Sequence, residues 1–199
     1  MEKLCAKTNL LPRGNWLLLA IMIIIDRYGL YITIVHLDNL NEGILQIYKI
    51  DSPKEIDRNV TYFKQYMASR LALAMSLERI FSRKIESLEV IKNTRNVPFL
   101  KNCNGIAISI SHSGNYACAL VTDKYKRVGI DIEEISEKKT KNLKDYYKSD
   151  DIKEIYGKWT LMEAEFKAQV ENGKAISFGD NEFFCSIVTG ERTLSLINH

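Results

Sequence analysis

Cysteine and histidine are both scarce in this chain, and neither is spaced to hold zinc. Its four cysteines, Cys5, Cys103, Cys118 and Cys185, include no Cys-x-x-Cys pair, and only three histidines accompany them. Tetrahedral zinc sites need clustered thiolates and imidazoles, so none is expected. The chain is not disulfide-dense either, and reduced thiols in a cytoplasmic protein are the simplest expectation. Charge of one sign is also in short supply. Lys and Arg number 28 against 25 Asp and Glu, a net charge of +3. Such an excess does not mark a general nucleic-acid binder. It is compatible with an acidic partner or with phosphates. Long apolar runs are missing too. The strongest, "WLLLAIMIII" (residues 16–25), is ten residues, where a membrane-spanning helix needs about 20. Lys3, Lys7 and Arg13 before it imitate a secretory leader. However, Asp26, Arg27 and Tyr28 follow directly and there is no small-residue cleavage site. A buried strand is the expectation for this run, with no membrane partner.

What is present reads as alternating strand and helix blocks, an α+β chain. "YITIVHL" (31–37) and "GILQIYKI" (43–50) are expected strands with a turn between them. "DSPKEIDRNV" (51–60) opens a helical region, with Ser52 as N-cap and Pro53 at the first helical position, and "TYFKQYMASRLALAMSLERIF" (61–81) continues it. "LEVIKN" (88–93) is a short strand candidate, and "TRNVPFLKNCNG" (94–105) is expected to be a loop. "IAISISHSGNYACALVT" (106–122) predicts a strand, a polar turn over residues 112–115 and a second strand; "VGIDIEEI" (128–135) is the next. Residues 136–174 are charged and helical, with breaks near Ser149 and Gly157, and a helix over 158–170 closed by Asn172 and Gly173. "NEFFCSIVTG" and "RTLSLIN" predict a final hairpin. There is no short-period repeat and no low-complexity segment. The order suggests two α+β halves, 1–127 and 128–199.

Three stretches carry chemistry. In "GIDIEE", strand alternation places Asp131 and Glu133 on one face and Ile130 and Ile132 on the other. Two carboxylates at i and i+2 form an oxygen-ligand pair for a hard divalent cation, and Gly129 permits close approach of another backbone. The plain alternative is an edge strand with a wet acidic face. In "KWTLMEAEFKA", Trp159, Glu163 and Lys167 fall at i, i+4 and i+8 on one side of a helix. The plain alternative there is a surface Glu–Lys pair. In "ISISHSGNYA", Ser111, His112 and Ser113 offer side-chain donors near a turn, suited to phosphate. A polar hairpin turn is the plain alternative.

In this order, SHSG, GIDIE and WTxxEAxxK resemble the 4′-phosphopantetheinyl transferases of the type that activates surfactin synthetase and fatty-acid or polyketide carrier proteins. The resemblance runs from Asn96 to Ser177. "SRLALAM" is similar to the arginine-bearing helix of that family, with Arg70 at the matching position, and "ENGKAIS" to its Gly-Lys turn, at Lys174. It implies a fold of two similar α+β halves related by a pseudo-twofold, with coenzyme A as co-substrate in the cleft between them. It further implies that Asp131, Glu133 and Glu163 bind Mg²⁺. His112 would contact a coenzyme A phosphate, and Lys167 would neutralise the pyrophosphate. Ser111, Arg70 and Lys174 would assist in coenzyme A binding. The implied reaction moves phosphopantetheine to a serine of an apo acyl or peptidyl carrier protein and releases 3′,5′-ADP. Asp131, Glu163 and Lys167 carry it, and Glu163 is a candidate general base. A monomer is expected.

The chain departs from that pattern in places. Met162 stands where the family usually has a lysine before the helix glutamate. Asn96, Val97 and Pro98 stand where it usually reads Gly-Lys-Pro. A homologue that binds coenzyme A or a carrier protein without turnover is the alternative these positions keep open.

Overall fold

In a computed structural model the protein is described at residues 20–25 (backbone only), 29–50, 60–81, 89–101 and 103–192. It is a mixed α+β structure with small antiparallel sheets. Strands β1 (Ala20–Ile25) and β2 (Leu30–His36) lead through a 3₁₀ turn (Leu37–Asn39) into α1 (Glu42–Ile47). The long α2 (Val60–Phe81), a short hairpin of β3 (Val90–Lys92) and β4 (Pro98–Leu100), and three successive strands follow: β5 (Ala107–Ser113), β6 (Tyr116–Thr122) and β7 (Val128–Glu134). Helices α3 (Glu137–Tyr147) and α4 (Ile152–Ala168) precede the last hairpin, β8 (Lys174–Gly179) and β9 (Phe183–Thr189). One sheet has the order β1-β2-β6-β5 and another β7-β9-β8.

The layers follow from strand alternation. In the first sheet Val35, Ile108, Ala117, Ala119 and Val121 face α2 and pack on Leu71, Ala72, Met75 and neighbours. The opposite face, with Leu30, Ile32, Ile34, Cys118 and Leu120, packs on Ile130, Ile132, Cys185 and Ile187 of the second sheet. On the far side of the second sheet, Ala164 and Ala168 of α4 pack against Val188. Helix, sheet, sheet and helix are thus stacked around an apolar centre, each sheet hydrophobic on both faces. Small residues let α4 come close. A Cβ on Gly129 would lie 1.9 Å from the Ala164 carbonyl oxygen, so only glycine fits there.

Several local expectations are corrected. "GILQIYKI" is not a strand: α1 forms because the Asn41 side chain accepts a hydrogen bond from the Ile44 amide at 3.0 Å and caps a helical turn. Residues 98–100, expected in a loop, pair with β3. Gly157 does not break α4, which runs from its Asp151 N-cap to Ala168 and closes on Gln169 in the left-handed conformation, short of Asn172. β9 pairs with residues 174–179 on one side and with β7 on the other; the expected strand "RTLSLIN" lies, over residues 193–198, outside the described residues. The expected helix start at Ser52 and Pro53, and the side-chain burial expected for residues 16–25, also lie outside them. Among the described residues no helix is long and apolar enough to cross a membrane.

Candidate active site

The residues of interest gather where β5, the edge of the first sheet, meets β7, the edge of the second. Alternation along β5 puts Ser109, Ser111 and Ser113 on its inner face. Those three hydroxyls satisfy the edge of β7. The Ile130 amide donates to Ser109 Oγ at 3.0 Å and the Glu134 amide to Ser113 Oγ at 3.2 Å. Ser111 Oγ donates to Asp131 Oδ1 at 2.8 Å, and Ser113 Oγ to Glu133 Oε2 at 2.7 Å. Two strands from different sheets are joined here through side chains.

Each carboxylate also meets an ammonium. Lys167 of α4 bonds Asp131 Oδ1 at 2.6 Å, Ser111 Oγ at 2.9 Å and the Ile130 carbonyl at 3.3 Å. Lys139 of α3 bonds Glu133 Oε2 at 2.6 Å and Ser113 Oγ at 2.6 Å. Asp131 is only 3% exposed. Burial pushes its carboxyl pKa up, and this outweighs the opposing pull of Lys167 and Ser111. Its second oxygen, Oδ2, is buried with no hydrogen-bond partner among the described residues. A bare buried carboxylate oxygen is costly unless something positive meets it.

Beside this cluster opens a cavity of about 780 Å³, lined by Arg95, Lys126, Arg127 and Lys167 together with Phe99 and Tyr125; none of its described lining residues is acidic. Lys167 therefore touches both the buried aspartate and a basic cavity in the size range of small-ligand pockets. A second cavity, about 300 Å³, is lined by Leu143, Tyr146, Tyr147, Trp159, Met162 and Glu163 between α3 and α4.

Asp131, Glu133, Ser111 and Lys167 thus come together. Glu163 does not join them directly: it borders the aromatic cavity, one helical turn before Lys167. Among the described residues no three His, Cys, Asp or Glu side chains converge at metal-ligand spacing. His112 is separated from its serine neighbours. Because β5 runs on through Ser113 rather than turning at His112, the imidazole lies on the α2 face, exposed, edge-on to the Tyr62 ring at 6.5 Å. The three groups therefore do not form one donor set. The His112 pKa is lowered, first by desolvation and then by Lys167. Arg70 of α2 stacks its guanidinium 5.0 Å from the centre of the Tyr66 ring, and its Nη1 is buried with no partner among the described residues. Lys174 is exposed at the start of the edge strand β8, which β9 separates from β7.

Sequence reasoning missed Ser109 and Lys139. The alternation Ser-x-Ser-x-Ser across residues 109–113 is the signal for a hydroxyl row on one strand face. Nothing local marks Lys139 among the lysines of α3. No protein-family model matches the chain, and no curated protein matches it.

Proposed function

We propose that the chain transfers the 4′-phosphopantetheine group of coenzyme A to a serine of an apo acyl or peptidyl carrier protein, releasing 3′,5′-ADP. The observation that carries this reading is Lys167, which joins a basic cavity to a buried carboxylate with one unpartnered oxygen. Supporting the finer fold reading are the two sheets, each carrying one long helix on its outer face, α2 on the first and α4 on the second. They suit halves 1–127 and 128–199 related by a pseudo-twofold.

The residues present fit a hard divalent cation. Asp131 and Glu133 each have one oxygen held by a serine and a lysine, and Asp131 Oδ2 is buried and bare. Oxygen donors are what Mg²⁺ takes. Asp131 and Glu133 would hold it, with Glu163 as the third carboxylate on this reading. When bound, Mg²⁺ would neutralise the diphosphate oxygens. The remaining work falls to the chain. Arg95, Lys126, Arg127 and Lys167 attract and place the phosphates of coenzyme A in the cavity. His112 and Arg70, on the α2 side of β5, are suited to a further phosphate. The carrier serine oxygen attacks the phosphorus bearing pantetheine, and the bond from that phosphorus to the 3′,5′-ADP oxygen breaks. Glu163 is the candidate general base for the serine proton on this reading. Positioning and charge neutralisation dominate such transfers. Buried Cys118 and Cys185, both free thiols, suit a reducing, cytoplasmic setting. The chain is read as a monomer, with both halves in one polypeptide.

The alternative, a homologue that binds coenzyme A or a carrier protein without turnover, is favoured by one observation. Glu163 borders the aromatic cavity rather than meeting the two strand carboxylates. One experiment separates the readings. Coenzyme A, Mg²⁺ and apo carrier protein are incubated with the chain, and the carrier is weighed by mass spectrometry. The transferase adds one phosphopantetheine, and Asp131→Ala adds none. Binding of coenzyme A with no gain in carrier mass assigns the non-catalytic reading. Neither binding nor gain removes both.

A further inference from the structure

Asp131 and Glu133 are held by the same device, repeated two residues apart. Each has one carboxylate oxygen gripped by a serine of β5 and a lysine from a helix. For Asp131 Oδ1 these are Ser111 at 2.8 Å and Lys167 at 2.6 Å. For Glu133 Oε2 they are Ser113 at 2.7 Å and Lys139 at 2.6 Å. The two lysines differ in what they are attached to. Lys167 belongs to α4, which lies flat on the second sheet. Lys139 belongs to α3, in which Leu143 is the one buried residue. Lys139 is therefore the polar tie that fastens α3 to the strand seam, through Glu133 and Ser113 together.

An ammonium at 2.6 Å from a carboxylate oxygen competes with any divalent cation for that carboxylate, both by occupying the oxygen and by like-charge repulsion. The Glu133 side chain is 15% exposed and that of Lys139 40%, so water screens the pair only in part. We propose that Lys139 is a positioning residue that competes with the divalent cation for Glu133, so that cation binding releases Lys139 and loosens the tie of α3 to β5 and β7. This rests on the reading of Asp131 and Glu133 as metal carboxylates. The affected helix carries Tyr146 and Tyr147, which line the cavity beside Glu163. Cation occupancy is thereby coupled to the wall of that cavity.

The test uses Mn²⁺ as probe, titrated into the full chain and followed by its electron paramagnetic resonance signal, so that no turnover is needed. Lys139→Met is expected to bind Mn²⁺ about fivefold more tightly than the wild type. Lys138→Met removes the same charge from the exposed neighbour and is expected to leave the affinity unchanged, as is Lys139→Arg. Lys139→Gln repeats the measurement should the methionine variant fold poorly. As a second readout, Mn²⁺ is expected to speed hydrogen exchange of the α3 amides in the wild type, and to change it little in Lys139→Met. Wild-type binding that is lost in Asp131→Asn but equal or tighter than in Lys139→Met overturns the competition and leaves the metal reading standing. Equal tightening in Lys138→Met and Lys139→Met also overturns it, since contact is then irrelevant. Binding by Lys139→Met where the wild type shows none supports the competition in its strongest form. No Mn²⁺ binding by either at millimolar concentration defeats both the competition and the metal reading.

Discussion

Removing the Lys167 ammonium while leaving Asp131 in place isolates the electrostatics of the seam. Lys167→Met keeps much of the aliphatic stem but deprives a 3%-exposed aspartate of its counter-ion. Breaking a fully buried pair in this way costs about 3–5 kcal/mol. The Lys167 side chain is 28% exposed, and Ser111 still donates to Asp131, so the lower figure of about 2–3 kcal/mol is expected at neutral pH. For a chain of this size that lowers the melting temperature by roughly 5–10 °C. The sign of the pH dependence follows from burial. The folded-state carboxyl of Asp131 has a raised pKa, so the folded state holds its proton more tightly than the unfolded chain. Its contribution is therefore most favourable below the unfolded carboxyl pKa, declines as pH rises through the folded value, and is flat above it. Without Lys167 that folded value moves further up. The stability deficit of Lys167→Met relative to wild type should accordingly shrink as pH is lowered from neutral, measured by urea unfolding at several pH values. Adding Asp131→Asn to Lys167→Met removes the stranded charge and should recover most of the loss. A deficit that does not change with pH, or a double variant as unstable as the single one, refutes the argument that a buried ionised Asp131 is the source of the cost.

Other consequences are simpler to check. Gly129→Ala places a methyl group against backbone atoms of Ala164 and Ala168 that cannot yield; a loss of about 3 kcal/mol or more is expected in chemical unfolding, and a loss below about 1 kcal/mol contradicts the close approach of α4. Ser109→Ala leaves the Ile130 amide unpaired in a buried seam, and should cost about 1–3 kcal/mol with little change in secondary structure by circular dichroism. Among the described thiols, Cys103 is half-buried while Cys118 and Cys185 are buried, and burial pushes the Cys185 pKa well up. A thiol reagent followed by peptide mapping should therefore modify Cys103 in the native protein and reach Cys118 and Cys185 only after denaturant is added. Rapid native labelling of Cys185 contradicts the packing of the two sheets.

Local signals made much of the fold legible. The apolar spacing of residues 61–81 specifies α2 without help, because a helical stripe is written in nearest-neighbour periodicity. The alternation in "GIDIEE" likewise places Asp131 and Glu133 on one face. Where the sequence misled, a single side chain tipped a balanced choice. Asn41 caps α1 and turns an alternating run into a helix, and β5 continues through Ser113, which puts His112 on the opposite face from Ser111. Residues 174–179 became a strand because β9, joined to them by a short turn, offers an edge along which they pair, whereas in the sequence the polar surroundings of the helix run on to Lys174.

The candidate site shows the same division. That an acidic pair sits on a strand, and that Glu163 and Lys167 share a helix face, is decided by periodicity and can be read from the chain alone. That Lys167 meets Asp131, that Lys139 meets Glu133, and that three serines tie β7 to β5 are outcomes of how two sheets and two helices stack. Each of those contacts joins residues on separate elements. Their energies come from burial and from charge brought to within hydrogen-bond distance, and neither exists until the layers close.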